Sequence, residues 1–188
     1  MKKIKTELID AYIIEPQVFE DARGWFVETY SAGKFTELGF KTIFVQDNHS
    51  MSKSRGVIRG LHFQVDPAAQ TKLVRCTKGE ILDVIVDLRR GSPTYKKWIK
   101  VVLSAKNFKQ LYIPQGFAHG LLTLVDDVEI QYKVDHLYSK PHDRSVRFDD
   151  PEIGVDWGVT DPILSQKDLD APLLKDSDYN FIYKGEIK

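Results

Sequence analysis

One stretch of the sequence combines the pattern of a β-strand with cationic and imidazole side chains: Arg55-Gly56-Val57-Ile58-Arg59-Gly60-Leu61-His62-Phe63-Gln64. Its β-branched and aromatic residues favour a strand, and its two glycines leave room for another segment to approach closely. Successive side chains of a strand point to opposite faces, so His62 shares a face with Gly60 and not with its apolar neighbours. The stretch therefore predicts a strand that carries an imidazole into a polar-lined interior.

Arg59 lies three positions before His62, so regular alternation places the two side chains on opposite faces of the strand. Both can reach one site if Gly60 permits a β-bulge, which inserts an extra residue and re-aims the side chains around it. Both can also reach it if Arg59 sits at the mouth of the site. The sequence leaves these two possibilities open.

Composition and charge describe a globular chain of 188 residues, enough for one domain with a hydrophobic core. Hydrophobic residues make up 42%, and 27 basic residues offset 27 acidic ones, so no overall field attracts nucleic acid. The single cysteine, Cys76, excludes an internal disulfide and a cysteine cluster for zinc or iron–sulfur. We expect a cytoplasmic protein with no membrane partner, because no apolar leader or spanning run is visible.

Many short strands punctuated by glycine and proline predict an all-β fold, either a β-sandwich or a double-sheet barrel. The predicted strands cover residues 11–15, 42–45, 72–77, 80–88, 98–103, 110–113, 120–125 and 128–134. The one clear helix runs from Ser31 to Leu38 and is closed by Gly39. From about residue 140 the chain becomes polar and irregular, but no linker or repeat divides it, so we expect residues 1–188 to form a single domain.

Two further patterns concern the pairing and the faces of these strands. The Lys78-Gly79 turn predicts that the strands before and after it form a hairpin. In the second of them, residues 80–88, one face is wholly apolar and the other carries Asp83 and Asp87. This pattern is typical of a sheet with a core side and a wetter side. The run 46–50 is polar and is expected to lie at the end of the strand 42–45.

Four other residues of chemical interest stand beside apolar runs, and each also has an ordinary structural explanation. Lys72 suits a cation for a developing oxyanion or a solvated edge lysine. Tyr132 suits a proton donor or a core tyrosine. His119 suits a functional residue or a buried hydrogen-bonded histidine, and Asp168 suits the carboxylate partner of an imidazole or a loop acid. We expect the chain to fold so that these groups surround His62.

Several common catalytic motifs are missing from the sequence. It has no Gly-x-Ser-x-Gly, no P-loop, no Gly-x-Gly-x-x-Gly and no HExxH. Metalloenzymes of sandwich folds often carry His-x-His on a strand, where this chain has His62-Phe63-Gln64, and no two of its five histidines are spaced for a metal. We therefore expect no bound catalytic metal.

Six blocks in a fixed order resemble one family, the dTDP-4-dehydrorhamnose 3,5-epimerases. The blocks are Gln46-Asp47-Asn48-His49-Ser50, Arg59-Gly60-Leu61-His62-Phe63-Gln64, Lys72-Leu73-Val74-Arg75, Pro114-Gln115-Gly116-Phe117-Ala118-His119-Gly120, Tyr132-Lys133-Val134 and Ile163-Leu164-Ser165-Gln166-Lys167-Asp168. The resemblance extends from about Ile4 to Leu174, nearly the whole chain. Six ordered blocks are far more specific than any single motif.

The resemblance implies a cupin-type fold, a double-stranded β-helix or jelly roll with short flanking helices. It also implies a homodimer that works without metal or organic cofactor and inverts dTDP-4-dehydro-6-deoxy-D-glucose at C3 and C5. In such an enzyme His62 would be the general base, and Asp168 would pair with it. Tyr132 would be the acid on the opposite face of the sugar, and Lys72 would neutralise the enolate oxygen.

The resemblance further implies which residues bind the sugar nucleotide. The residues that would contact the sugar nucleotide are Arg59, Gln46, Asn48, His119 and Lys167. Those at positions that bind the nucleotide are Arg23 and Glu28, with Phe26 beside them, and Tyr138 would stack on thymine. The chain departs from the family pattern at 143–148, where Asp-Arg-Ser-Val-Arg-Phe replaces Asp-x-Gly-Ile-x-Trp. Gly158 and Gln166 also differ from the usual Pro and Glu. These departures concern the expected nucleotide contact at Asp143 more than the chemistry.

Three other functions stay open at this point. The protein could be a relative of these epimerases that inverts only C3 or only C5, or that acts on another nucleotide sugar. A non-catalytic cupin that binds nucleotide sugars would retain Arg23 and Arg59 but would need neither His62 nor Tyr132. The third alternative is a metal-dependent cupin oxygenase.

Overall fold

A computed structural model describes residues 1–185, and short antiparallel strands make up most of its regular structure. The strands are β1 (Lys2–Lys5), β2 (Tyr12–Glu15), β3 (Val18–Asp21), β4 (Gly24–Val27), β5 (Gln46–Ser52), β6 (Ile58–Gln64), β7 (Lys72–Lys78), β8 (Glu80–Asp87), β9 (Trp98–Ser104), β10 (Gln110–Ile113), β11 (Phe117–Thr123), β12 (Val128–Val134) and β13 (Asp143–Ser145). The helices are α1 (Ala32–Glu37) and α2 (Gln166–Leu169), with 3₁₀ turns at Lys140–His142 and Leu174–Asp176. None of the helices within the described range has the length and apolarity needed to cross a membrane.

The strands form two large sheets and one separate hairpin. The six-stranded sheet has the order β1-β2-β10-β7-β12-β5, the five-stranded sheet has the order β13-β6-β11-β8-β9, and β3 pairs with β4. All pairings between these strands are antiparallel. From β5 to β8 and from β9 to β13, each consecutive strand lies in the other large sheet from the one before it. The predicted all-β, cupin-type jelly roll with short flanking helices is confirmed.

Two apolar layers hold the sheets in place. One layer lies between the sheets and includes Ile81 and Leu111. The other covers the far face of the five-stranded sheet, where Val84 packs with Trp157 and Phe181 of the C-terminal segment. That segment is irregular, as the sequence indicates, yet it supplies buried aromatic rings to the core.

The expected wetter side of residues 80–88 is wrong. The wholly apolar face of β8 is buried beneath the C-terminal segment rather than against the second sheet. The face that carries Asp83 and Asp87 points between the sheets, and both residues are fully buried. The C-terminal segment explains the error, because it covers the outer face of the five-stranded sheet and lets that sheet bury both of its faces.

The expected hairpin around Lys78-Gly79 is also wrong. β7 pairs with β10 and β12 in one sheet, whereas β8 pairs with β11 and β9 in the other. The turn is a corner between the sheets, and Gly79 has a left-handed φ of 77° there. A glycine turn between two apolar strands suits a corner and a hairpin equally, so the local pattern could not choose between them.

The strand expected at residues 42–45 is misplaced. Those residues are irregular, and the polar run that follows them is itself the strand β5, which pairs with β12 along its whole length. Gln46 and Asn48 face the interior cavity described below, while Asp47 and His49 are exposed. Both faces of β5 are therefore polar, and the apolar alternation by which a strand is recognised is missing.

The predicted helix is confirmed as α1. Ser31 is its N-cap, and its hydroxyl accepts a hydrogen bond from the backbone N–H of Lys34 at 3.5 Å. Gly39 follows the helix with a φ of 84°, the left-handed conformation typical of a helix end.

Candidate active site

A cavity of about 650 Å³ lies between the two large sheets. β5, β7 and β12 line it from the six-stranded sheet, β6 and β11 from the five-stranded sheet, and residues 163–168 contribute from the C-terminal segment. The candidate residues that line it are His62, Tyr132, Asp168, Lys72, Gln46, Asn48, Arg59, His119, Tyr138, Asp143 and Lys167. The fold thus gathers groups that are far apart in sequence into one polar site.

A β-bulge at Gly60 lets Arg59 and His62 line the same cavity. His62 pairs with His119 and Arg59 with Leu121, so three steps along β6 match two steps along β11. Gly60 has a φ of 145°, and a Cβ at this position would lie 2.5 Å from the backbone of β11. Only glycine tolerates this approach. Of the two possibilities that the sequence leaves open, the structure contains the bulge.

His62 and Asp168 form a close pair in the cavity wall. Nε2 of His62 lies 2.6 Å from Oδ1 of Asp168, and the backbone N–H of Gly60 donates to the same oxygen at 3.3 Å. The hydroxyl of Ser165 donates to Oδ2 at 2.6 Å. Burial alone would raise the pKa of the Asp168 carboxyl, but these hydrogen bonds hold it below its ordinary value. The pair therefore has an ionised carboxylate at neutral pH.

Asp168 belongs to a short helix that the sequence analysis treated as a loop. α2 begins after Ser165, whose hydroxyl also accepts from the backbone N–H of Asp168 at 3.3 Å. The spacing Ser165-Gln166-Lys167-Asp168 is that of a helix-capping motif in which an acid follows the cap by three residues. That spacing is the signal that could have identified both the helix and Ser165.

The surroundings of His62 favour a neutral imidazole. Burial lowers the pKa of His62, and the Asp168 carboxylate offsets this effect only in part. A neutral ring that donates from Nε2 to Asp168 keeps an unprotonated Nδ1. The pair thus provides a proton acceptor whose protonated form is stabilised by the neighbouring negative charge.

Tyr132 and Lys72 enter the cavity from the sheet opposite His62. Burial raises the pKa of the Tyr132 phenol, which therefore keeps its proton at neutral pH. Burial lowers the pKa of Lys72 to about 8, so the ammonium form still predominates at pH 7. The cavity consequently combines a proton acceptor on one wall with a proton donor and a cation on the other.

His119 is held by a buried acid that the sequence analysis did not place in the site. Nε2 of His119 lies 2.8 Å from Oδ1 of Asp83, which has no exposed surface. The signal was present, because Asp83 interrupts an otherwise apolar strand. A buried carboxylate is costly and needs a specific partner, so an acid in such a strand is a candidate for a functional site.

Cations and an open aromatic ring lie among the residues expected to bind the sugar nucleotide. Arg59 donates from Nε to Oγ of Ser52 at 3.0 Å and from Nη2 to a backbone carbonyl of β5 at 3.0 Å. Lys167 pairs with Asp143 at 2.6 Å, and the Tyr138 ring is 59% exposed. Guanidinium and ammonium groups suit a diphosphate, and an exposed ring suits a base.

Arg23, Phe26 and Glu28 lie outside the cavity of their own chain. Arg23 and Phe26 belong to the β3–β4 hairpin, and both side chains are largely exposed. Arg23 pairs with Asp21 at 2.6 Å, and Glu28 pairs with Lys34 at 2.7 Å. Of the candidate residues, these three are the ones that the fold does not bring to the others.

The fold and the cavity define a cupin-type protein equipped for proton transfer next to a charged oxygen. In residues 1–185, no three His, Cys, Asp or Glu side chains are grouped to hold a metal ion. The chain belongs to the dTDP-4-dehydrorhamnose 3,5-epimerase family, an isomerase family whose model matches residues 5–176. The resemblance seen in the six sequence blocks is confirmed.

Individual relatives are similar over nearly their whole length. The dTDP-4-dehydrorhamnose 3,5-epimerase of Shigella flexneri is 50% identical over 180 residues, 95% of this chain and 99% of the relative. The crystal structure of the Bacillus anthracis enzyme of the same name, with TDP and PPi bound, is 51% identical with a TM-score of 0.90, covering 92% and 99% of the two chains. The Legionella pneumophila dTDP-6-deoxy-D-glucose-3,5-epimerase, in complex with dTDP-4-keto-L-rhamnose, is 39% identical with a TM-score of 0.92, covering 98% and 99%.

Proposed function

We propose that this protein converts dTDP-4-dehydro-6-deoxy-D-glucose into dTDP-4-dehydro-L-rhamnose by inverting C3 and C5. The observation that carries the proposal is the cavity itself, in which the His62–Asp168 pair and the Tyr132 phenol lie on opposite walls. A sugar ring between the walls would meet a proton acceptor on one face and a proton donor on the other. The names and ligands of the similar enzymes support the same substrate class.

The first step is removal of a proton next to the ketone. The C4 carbonyl acidifies the hydrogens on C3 and C5, and Nδ1 of neutral His62 accepts one of them. The electron pair of the broken C–H bond moves into an enolate with most of its charge on O4. Lys72 meets that charge only as it develops, so it stabilises the transition state more than the bound substrate. Asp168 stabilises the imidazolium that forms.

The second step is return of a proton to the opposite face of the same carbon. The raised pKa of Tyr132 leaves its phenol protonated and able to donate. The enolate collapses to the ketone as the new C–H bond forms, and the configuration of the carbon is inverted. The tyrosinate and the imidazolium then exchange protons with water, and the same steps at the second carbon complete the reaction.

We further propose that the active form is a homodimer. Arg23, Phe26 and Glu28, which the family resemblance assigns to the nucleotide, lie outside the cavity of their own chain, so a second chain would have to supply them. The exposed Phe19, Trp25 and Phe26 of the β3–β4 hairpin suit such a contact. The mass of the protein in solution tests this part of the proposal. Cytoplasmic location and independence from any cofactor remain predictions from the sequence.

Solvent deuterium tests the reaction directly. With dTDP-4-dehydro-6-deoxy-D-glucose in D₂O, we expect NMR of the product to show deuterium at both C3 and C5. Exchange at one carbon alone would favour the single-carbon epimerase among the alternatives. Exchange at neither carbon would contradict the proposal and favour a binding protein.

Two variants locate the proton transfers. We expect His62→Ala and Tyr132→Phe each to lower turnover by about 10²- to 10⁴-fold, as is usual for the loss of a general base or acid. Tyr112→Phe is a matched control for the second variant, because Tyr112 is buried outside the cavity and its hydroxyl contacts Thr42 at 2.6 Å. Equal turnover in Tyr132→Phe and Tyr112→Phe would remove Tyr132 from the mechanism.

A further inference from the structure

Asp83 is a fully buried acid that the proposed reaction does not yet use. Its Oδ1 contacts His119 at 2.8 Å, while its Oδ2 is buried and has no hydrogen-bond partner among residues 1–185. The residues around it belong to the apolar layer between the sheets. An ionised carboxylate in such surroundings needs compensating charge, and a single imidazole contact leaves half of its hydrogen-bonding capacity unused.

Lys72 has the complementary problem. It is 8% exposed, and its Nζ forms no hydrogen bond or ion pair with any residue from 1 to 185. Burial therefore disfavours the ammonium form, and the pKa of Lys72 falls to about 8. Of the neighbouring charges, Asp83 has the largest effect, and it raises the pKa of Lys72. Without that carboxylate the lysine would lose its proton still more readily.

Other groups around Lys72 cannot replace this effect. The titratable and charged groups that face it in and beside the cavity are Asp83 on β8, His119 on β11, His62 and Arg59 on β6, Tyr132 on β12, Asp143 on β13, and Lys167 and Asp168 on α2. Asp143 is paired with Lys167 at 2.6 Å, and the two have opposite effects on the pKa of Lys72. Asp168 is engaged by His62. Asp83 is the acid whose charge is left for Lys72.

We propose that Asp83 is a positioning residue of the oxyanion site, where its carboxylate fixes His119 and keeps the Lys72 side chain as a cation. The inference rests on the proposed function, in which Lys72 faces O4 of the sugar. Because Asp83 acts on Lys72 without a direct ion pair, the three N–H donors of the ammonium stay available to the substrate oxygen. A direct pair would hold those donors in the ground state and weaken the stabilisation of the enolate.

A titration of Lys72 tests the inference without any need for turnover. The protein is labelled with ¹⁵N-lysine, the Nζ signal of Lys72 is assigned with Lys72→Arg, and its midpoint is followed by NMR. We expect Asp83→Asn to lower the midpoint from about 8 by about 1 to 3 pH units, the usual effect of removing a nearby opposite charge. Asp83→Glu, which retains the charge, should keep the midpoint near the wild-type value. An unchanged midpoint in Asp83→Asn would overturn the inference even if the epimerase activity is real.

Kinetics distinguish this role from simple support of His119. At pH 7 we expect Asp83→Asn to lower kcat by about two- to a hundredfold, with little change in KM. This is about the factor by which such a shift lowers the protonated fraction of Lys72. The alkaline limb of the pH profile should move down with the NMR midpoint. His119→Gln removes the imidazole but keeps the carboxylate, so it should leave that limb in place. If His119→Gln moves the limb as far as Asp83→Asn does, the inference is wrong.

Discussion

Asp83 and Asp87 lie four residues apart on the same face of β8, and both are fully buried. Asp87 accepts hydrogen bonds from the backbone N–H, Nε and Nη2 of Arg89 and from the hydroxyls of Ser92 and Thr94. Within the described part of the chain, Asp83 accepts one, from His119. The carboxylate of Asp87 thus has its hydrogen-bonding capacity filled, whereas that of Asp83 on the same strand does not. The difference separates a carboxylate that holds the fold from one that serves the cavity.

The hydrogen bonds around Asp87 connect distant parts of the chain. Arg89 joins Asp87 to Asp10, whose carboxylate lies 2.7 Å from its Nη1, and its guanidinium carbon lies 4.6 Å from the ring centroid of Phe117 and 4.9 Å from that of Tyr183. Burial alone would raise the pKa of the Asp87 carboxyl, but the hydrogen bonds from Arg89 and its neighbours hold it below its ordinary value. At Asp83, by contrast, one carboxylate oxygen has no hydrogen-bond partner among residues 1–185, and the partner of the other oxygen, His119, lines the polar cavity.

The largest effect that we expect from this comparison is the loss of stability in Asp87→Ala. The substitution removes the fully buried acid that pairs with the Arg89 guanidinium and leaves only the Asp10 carboxylate and the Ile9 carbonyl as its acceptors among residues 1–185. Breaking a buried ion pair in this way costs about 3–5 kcal/mol. The free energy of unfolding, measured with urea, should fall by that amount. Turnover per folded molecule should stay close to that of the wild type.

Two variants sharpen the measurement. Asp149→Ala breaks an ion pair with Arg147 whose two side chains are each 44% exposed, and it should cost less than about 1 kcal/mol. Asp83→Asn should also change the free energy of unfolding by only about 1 kcal/mol, because the amide still accepts from His119. If Asp83→Asn destabilises the protein as much as Asp87→Ala, the proposed division between the two acids fails.

The next effect concerns the pH dependence of kcat/KM. Below its pKa, which is lower than the ordinary 6.5, His62 is protonated and cannot accept a proton, so activity should fall as the pH drops. Above about 8 Lys72 loses its proton, so activity should also fall about tenfold per pH unit on the alkaline side. The pKa of Tyr132 is raised above its ordinary 10, so the phenol adds no limb in this range.

The expected profile is therefore a bell whose alkaline limb lies near 8. An alkaline limb at 10 or above would mean that Tyr132, and not Lys72, limits the reaction. An acid limb well above 6.5 would mean that Asp168 raises the pKa of His62 by more than burial lowers it. Either result would be visible in initial rates at low substrate concentration.

The sequence was sufficient for most of the fold because the apolar strands are regular. It could not assign those strands to sheets, since the turn at Gly79 suits a corner as well as a hairpin. It also missed β5, whose two polar faces look towards the cavity and towards solvent. The packing of the C-terminal segment on the five-stranded sheet could not be predicted for a different reason. Trp157 and Phe181 are isolated aromatics in an irregular segment, and only their contacts identify them as core residues.

Most of the candidate cavity was also within reach of the sequence, but mainly through the ordered blocks of the family. Residue chemistry alone left Asp168 as either the partner of an imidazole or a loop acid, and it left open how Arg59 could reach the same site as His62. The bulge at Gly60 and the short helix after Ser165 decide both questions, and they depend on close backbone contacts that alternation rules ignore. Asp83 was overlooked because the face that it shares with Asp87 was expected to be wet.

The smallest effect is expected from Ser165, which makes one hydrogen bond that holds the fold and one that serves the cavity. One caps α2, as Ser31 caps α1, and the other holds Oδ2 of Asp168 at 2.6 Å. Ser165→Ala and Ser31→Ala should therefore each lower the free energy of unfolding by about 1 kcal/mol. Only Ser165→Ala should also lower kcat, by about five- to tenfold, because the carboxylate loses a donor that orients it towards His62.

Ser31 is the matched control because it does not line the cavity. If the two variants lower stability equally and leave kcat equal, the hydroxyl of Ser165 is a helix cap and nothing more. If kcat falls in Ser165→Ala while KM is unchanged, the hydroxyl acts through Asp168 on the proton acceptor. The acid limb of the pH profile should then also move, since the charge that stabilises the imidazolium is less firmly held. A merely structural serine would leave that limb where it is.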